Sequence, residues 1–303
     1  MDDRMVKAGL LAGAILTMVT MADPARATEG GGSAYPHGAE GWMTGMLPPE
    51  GTYLLNYSTY NNADRLNDGD GDRVPLDFEA EAFANTFRFV HVTDKKILGG
   101  TYAFQVLVPM VDLRVDMGGR RDHRAGLGDI VVDPFILGWH IDKLHIAAGL
   151  DIILPTGRYD RNALANIGRN YLTFEPAVAL TYHDPEGPEL SAKLMYDMST
   201  RNKATDYQSG DEFHVDFAAG WNFPKWSLGA AGYYNQQTTD DRQGGVVVGD
   251  GNRGTAFAIG PTVKVQAGKV PIMLTWQHEV VARNRSQGDK LWIKAIFSLG
   301  GHP

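Results

Sequence analysis

Cysteine is absent from the 303 residues, which excludes a disulfide scaffold, a thiolate zinc site and a cysteine nucleophile. Basic charge is in deficit. The chain holds 28 Lys+Arg against 36 Asp+Glu, a formal charge of −8, and that balance argues against a nucleic-acid-binding surface. Beyond residue 27 no stretch is long and apolar enough for a membrane helix, and no segment supports a long amphipathic helix. There is no G-x-x-x-x-G-K phosphate cradle and no G-x-S-x-G nucleophile turn. What is present is 43% hydrophobic residues, 21% charged residues, 10% aromatics and 36 glycines. That mix excludes disorder for the whole chain and suits a β-rich fold with many turns.

Residues 1–27 read as a secretory signal. Arg4 and Lys7 supply a positive start, diluted by Asp2 and Asp3. Ala8 to Ala22 is uncharged and apolar, Pro24 breaks any helix, and Ala25-Arg26-Ala27 gives a small-x-small cleavage pattern. A membrane anchor needs about 20 apolar residues, more than this run provides. The expected product, residues 28–303, is then either soluble outside the cytoplasm or a β-barrel in a membrane.

Past residue 50 the chain repeats a segment of alternating apolar and polar or small residues, followed by a turn. Phe213, Val215, Phe217, Ala219, Trp221 and Phe223 share one parity; Glu212, His214, Asp216, Ala218, Gly220 and Asn222 share the other. Period two places the two sets on opposite faces of a strand. Twelve such segments are expected, at about 51–60, 79–92, 100–115, 127–140, 143–155, 170–183, 188–199, 210–223, 226–236, 254–266, 270–281 and 289–299. The second to fourth alternate poorly.

Connections alternate in length. Long ones are expected at 61–78, 116–126, 156–169, 200–209, 237–253 and 282–288; short ones fall near 93–99, 141–142, 184–187, 224–225 and 267–269. Aromatics gather by the short turns, as in Trp139, Tyr182, Trp221, Phe223, Trp226, Tyr102 and Phe104. An even number of strands, long loops at one end and an aromatic belt at the other define the expected fold. It is all-β: a single transmembrane antiparallel up-and-down β-barrel of about twelve strands, with long outer loops and short periplasmic turns. In lipid every backbone N–H and C=O needs an internal partner, and a closed sheet supplies it.

If the apolar parity faces lipid, the other parity faces the lumen. The lining candidates are then Asp151, Glu175, Lys193, Asp197, Glu212, His214, Asp216, Lys264, Glu279 and Lys294. Charges of both signs need either water or ion pairs across the barrel. An eight-stranded barrel is filled by side chains and sixteen or more strands leave a channel, so twelve suggest a narrow, partly obstructed lumen. Residues 28–50 precede the first strand. Their apolar patch of Trp42, Met43, Met46 and Leu47 has no strand periodicity. Two readings stand: a plug entering the lumen from the periplasmic side, or a disordered or surface-packed tail.

Several motifs together resemble one family. They are Tyr35-Pro36-His37-Gly38-Ala39-Glu40-Gly41, Leu47-Pro48-Pro49-Glu50-Gly51-Thr52-Tyr53, Gly126-Leu127-Gly128-Asp129-Ile130, Leu137-Gly138-Trp139-His140, Leu154-Pro155-Thr156-Gly157, and Asn166-Ile167-Gly168-Arg169-Asn170-Tyr171 with Phe174-Glu175-Pro176. The set resembles the meta-pathway phenol-degradation proteins of the outer membrane, a group that includes sphingosine-responsive porins. The resemblance implies an outer-membrane barrel that admits aromatic or other hydrophobic compounds for catabolism, and it carries no catalytic residues. One departure is the C-terminus, where Phe297 is followed by Ser298-Leu299-Gly300-Gly301-His302-Pro303 rather than ending the chain.

The expected function is a passive channel for small hydrophobic or aromatic solutes in the bacterial outer membrane, without enzymatic activity, metal or cofactor. The expected partners are the solute, outer-membrane lipid and lipopolysaccharide, and the barrel-assembly machinery, but no nucleic acid; the expected state is a monomer. Two alternatives remain open: a non-conducting structural or adhesive barrel, and a phospholipase-like enzyme built around His278, which shares the lipid-facing parity. The acidic loop Asp68, Asp70 and Asp72 with Glu79 imitates a calcium loop, yet Arg73 stands where its glycine belongs.

Overall fold

The computed structural model describes residues 28–300. The expected signal at 1–27 lies outside the described residues. A short 3₁₀ turn, Glu29–Gly31, opens the described chain, and sixteen strands follow. In chain order they are β1 (Gly51–Leu66), β2 (Phe78–Ile97), β3 (Gly100–Met117), β4 (Arg120–Leu127), β5 (Ile130–Ile141), β6 (Leu144–Leu154), β7 (Thr173–His183), β8 (Pro188–Ser199), β9 (Tyr207–Gln208), β10 (Glu212–Asn222), β11 (Trp226–Gln237), β12 (Arg242–Gln243), β13 (Val246–Val247), β14 (Thr255–Ala267), β15 (Val270–Arg283) and β16 (Ser286–Gly300). Three of them, β9, β12 and β13, pair with one another in the loops.

The other thirteen form one antiparallel sheet that closes when β16 pairs with β1. β4 and β5 are two pieces of one wall element. They are interrupted at Gly128-Asp129, where the Gly128 N–H donates to the Pro109 carbonyl at 2.9 Å. The wall is therefore a twelve-stranded up-and-down barrel. Closure leaves no unpaired edge for lipid to meet.

Four of the six expected long connections are loops at one end of the barrel, and two are not. Residues 116–126 turn tightly at Gly118-Gly119, with φ of 58° and 78°, so that β3 continues directly into β4. Two residues with positive φ make the hairpin turn that matches strand twist, and glycine adopts it without a Cβ penalty. Residues 282–288 reduce to a bend at Asn284-Arg285 between β15 and β16. In both places the strands carry polar residues on both faces, as Arg114, Asp116, Arg121 and Asp122 show. Such segments project into water and lack the alternation that marks the wall.

The acidic loop is held by a local turn. Asp68 Oδ1 accepts from the backbone N–H groups of Asp70 (3.0 Å) and Asp72 (2.9 Å), an Asx turn that uses the carboxylate locally. At the opposite end, the 184–187 turn is tied by Lys143 Nζ to Asp184 Oδ2 at 2.7 Å. That hydrogen bond holds the Asp184 carboxyl below its ordinary range. The final strand stays paired with β1 as far as Thr52 opposite Gly300.

The outer face is apolar and exposed, as seen at Leu150, Val178, Leu194, Leu274, Ile293 and Phe297. Tyr182, Trp221, Phe223, Trp226 and Phe104 are exposed beside the short turns, and Phe223 stacks on Trp226 with centroids 4.1 Å apart. Rings at this level meet both acyl chain and headgroup water. A charge in the middle of the band should be costly. Leu274→Arg is expected to lower folding stability in lipid vesicles by about 2–4 kcal/mol, whereas Val246→Arg, in a loop and 71% exposed, should leave it unchanged. Equal urea midpoints for the two variants would show that Leu274 does not face lipid.

Candidate functional site: a lumen threaded by the N-terminal segment

Residues 28–50 run along the barrel interior from the long-loop end to the short-turn end. At the upper end the Glu29 carboxylate accepts from Tyr159 Oη (3.0 Å), Asn202 Nδ2 (2.7 Å) and Thr205 Oγ1 (2.6 Å), all in long loops. Lower down, Asp216 of β10 accepts three hydrogen bonds from the segment: Tyr35 Oη at 2.8 Å, the Gly38 N–H at 2.8 Å and the Glu40 N–H at 2.9 Å. Gln277 Nε2 and Lys290 Nζ donate to the carbonyls of Gly38 and His37.

At the next level Trp42 is buried and donates through Nε1 to Thr262 Oγ1 at 3.0 Å. Its ring packs on Ala218, Ala231 and Met273. The Met43 N–H donates to Glu189 Oε1 (2.8 Å) and the Gly45 N–H to Thr181 Oγ1 (2.9 Å). Leu47 closes the lower end against Val90, Val92, Ala103 and Ile136, joined by Tyr53 and Leu55. The chain then leaves at Pro48-Pro49 and enters β1.

The segment thus spans the whole interior, with Thr28 among the long loops. The expectation of entry from the periplasmic side alone describes only its lower half. The reason is the distribution of anchors: side chains on five wall strands, β7, β8, β10, β15 and β16, bond its backbone, and the Glu29 carboxylate finds its hydroxyl and amide donors in the outer loops. Met43 adopts a left-handed φ of 61°, and Met46 bonds back to its carbonyl, so the apolar patch forms a bend rather than a strand.

Close approach is needed at Gly45. A Cβ there would lie 2.8 Å from the His145 carbonyl oxygen and from the backbone of Leu180-Thr181. Gly45→Val is expected to push the lower segment off the wall and raise ion conductance above that of the unaltered protein. Wild-type conductance in this variant would mean that the gap between segment and wall has room to spare.

All ten lining candidates lie on the inner parity, and every one is near-buried or ion-paired. Lys193 Nζ meets Asp151 at 3.1 Å and Glu175 at 3.3 Å. Lys264 Nζ meets Glu189 at 2.9 Å and sits 5.2 Å over the Trp42 ring. Lys294 reaches Glu40 at 4.0 Å, and Glu212 accepts from Ser33 and Asn235 at 3.1 Å. Glu279 accepts from Tyr233 Oη and from the Gly288 N–H. Asp197 and His214 lie beside Glu175.

The expected lining omits four contributors. Arg88 of β2 donates to Glu40 (2.7 Å), Tyr57 (2.9 Å) and Gln105 (2.7 Å). Glu189, fully buried, holds Met43, His183, Lys264 and Asn222. Glu189 lies within the expected 188–199 segment and shares its parity with Lys193 and Asp197, so the parity rule itself pointed to it. Arg88 was hidden because its inward neighbours Val90 and Val92 are apolar, which blurs the alternation. Tyr35 and Glu40, the other two, lie in the aperiodic segment.

His278, the one candidate for a hydrolase, faces outward and pairs with Asp289 at 3.0 Å. Among the described residues no serine hydrogen-bonds to it, and a serine hydrolase requires that contact.

A closed barrel with an apolar outer band, an aromatic belt and a polar, threaded interior is the fold of an outer-membrane channel. A family model described as "Putative MetA-pathway of phenol degradation" matches residues 63–295, and the chain belongs to that family. An outer membrane channel from Pseudomonas putida F1 superposes with a TM-score of 0.73 at 16% identity, over 83% of this chain and 96% of that one. The translocator domain of the autotransporter NalP from Neisseria meningitidis gives a TM-score of 0.48 at 8% identity, over 83% and 90%. No curated protein matches the chain.

Proposed function

We propose that the barrel is a narrow outer-membrane channel that admits small hydrophobic or aromatic compounds, down their gradient, for use in catabolism. One observation carries this reading: the interior changes character along its axis. The upper and middle levels are charged and amide-rich, while the lower level around Leu47, Val90, Val92 and Ile136 is apolar. An apolar solute gains about 25 cal/mol per Å² buried at such a level, whereas a small hydrated ion gains nothing there. The family's association with phenol degradation points the same way. Residues 28–50 act as the internal plug that narrows the path, and residues 51–303 form the barrel. Signal cleavage after Ala27, insertion by the barrel-assembly machinery, contact with lipopolysaccharide and a monomeric state complete the proposal.

The test is planar-bilayer conductance of refolded residues 28–303, with phenolic or long-chain amphiphilic solutes added. Discrete small steps that one solute class blocks are expected. A folded, heat-modifiable barrel without conductance or solute flux in liposomes would instead favour a structural or adhesive role.

A further inference from the structure

The inner wall carries a three-residue cluster that the channel reading does not use. Glu175 of β7, Asp197 of β8 and His214 of β10 are buried side by side, and one ligand-type atom from each lies within 4.8 Å of the other two. His214 Nε2 is 3.5 Å from Asp197 Oδ1 and 3.7 Å from Glu175 Oε2. Those separations are too long for good hydrogen bonds. Both ring nitrogens of His214, both oxygens of Asp197 and Glu175 Oε2 have no hydrogen-bond partner. Buried polar atoms left in that state destabilise the fold, the more so when they are charged. Their surroundings add to the problem, because Asp151 and Glu212 lie close by and Lys193 is the nearby ammonium.

We propose that this cluster binds one divalent cation of the Zn²⁺ class. Metal–ligand bonds of about 2.0–2.2 Å place the donor atoms of one tetrahedral Zn²⁺ roughly 3.3–3.6 Å apart, so the 3.5 Å and 3.7 Å edges from His214 need to close by a few tenths of an ångström at most. One imidazole and two carboxylates suit a borderline cation and leave one position for water. The N-terminal segment covers the site. The Tyr35 and His37 rings each lie 4.8 Å from the His214 ring, which excludes bulk water and keeps an ion from exchanging freely. Three adjacent wall strands and the threaded segment are thereby joined at one point.

The test is zinc retention. The full chain refolded in detergent with Zn²⁺ and then dialysed against a weak chelator is expected to keep about one zinc per chain. X-ray absorption at the zinc edge should show one imidazole among oxygen ligands. His214→Gln should weaken binding by about 100-fold or more, and Glu175→Gln gives the same readout if His214→Gln fails to fold. The exposed cross-strand pair His140 and His145, with nitrogens 2.6 Å apart, is the competing site, so His145→Gln should leave the retained zinc unchanged. Retention of no zinc would overturn the proposal and leave the carboxyls sharing protons instead. Loss of zinc in His145→Gln but not in His214→Gln or Glu175→Gln would overturn it equally.

Discussion

Deleting residues 28–48 is expected to raise single-channel conductance severalfold while leaving a closed barrel. The wall does not depend on the segment for its backbone pairing: every strand of the sheet except β4, which pairs with β3 alone, has both neighbours, and β16 closes on β1 through an unbroken run from Tyr53 to Ala63. The segment instead occupies the cross-section. Trp42 lies between β10, β11, β14 and β15, and Leu47 lies between β2, β3 and β5. A barrel of twelve strands is wider than the eight-stranded kind that side chains alone can fill, so removal of the filler leaves water in its place. Charges now held by the segment, Asp216 and Glu189 above all, would face that water and bias the current toward cations. Stability should fall as well, since loss of a buried tryptophan alone costs about 3–5 kcal/mol. The checks are conductance with reversal potential in a salt gradient, and urea unfolding in vesicles. Unchanged conductance would mean that ions take a path the segment does not cross.

The barrel was legible in the sequence where the interior is polar and the exterior apolar, because only then does period two show. From β6 to β16 the parity of Leu150 against Asp151, or of Phe213 against His214, is enough to assign both faces. From β2 to β5 the inner face near the short turns is itself apolar, as at Val90, Val92, Ala103 and Ile136. Register shifts near Thr93–Lys95 and around Asp133-Pro134-Phe135 further break the count. The ten lining candidates followed from parity alone. Their partners did not, because Tyr35, His37, Glu40 and Trp42 lie in an aperiodic stretch whose conformation is set by the wall it touches. No local rule places Glu40 beside Arg88, 48 residues on; the closed barrel does.

Arg88→Met is expected to destabilise the barrel by about 3–5 kcal/mol, the usual result of removing one member of a buried ion pair. The Arg88–Glu40 contact is 2.7 Å long, and the two side chains are 19% and 12% exposed, so solvent screens little of it. Without the guanidinium, Glu40 keeps only Lys294 at 4.0 Å and the Tyr57 hydroxyl at 3.3 Å, and Gln105 loses its donor. Most of the penalty is thus an uncompensated carboxylate rather than a lost attraction. Arg88→Met combined with Glu40→Gln should therefore recover about half or more of the loss, the remainder being the unpaired amide of Gln105 at about 1–3 kcal/mol. Urea titration in vesicles measures both numbers. The same contact pins the middle of the threaded segment to β2, so the single variant should also show flickering conductance that the double variant lacks. If both variants unfold at the wild-type midpoint, the pair is solvated, and the segment's other anchors, Asp216 and Trp42 among them, hold it in the lumen.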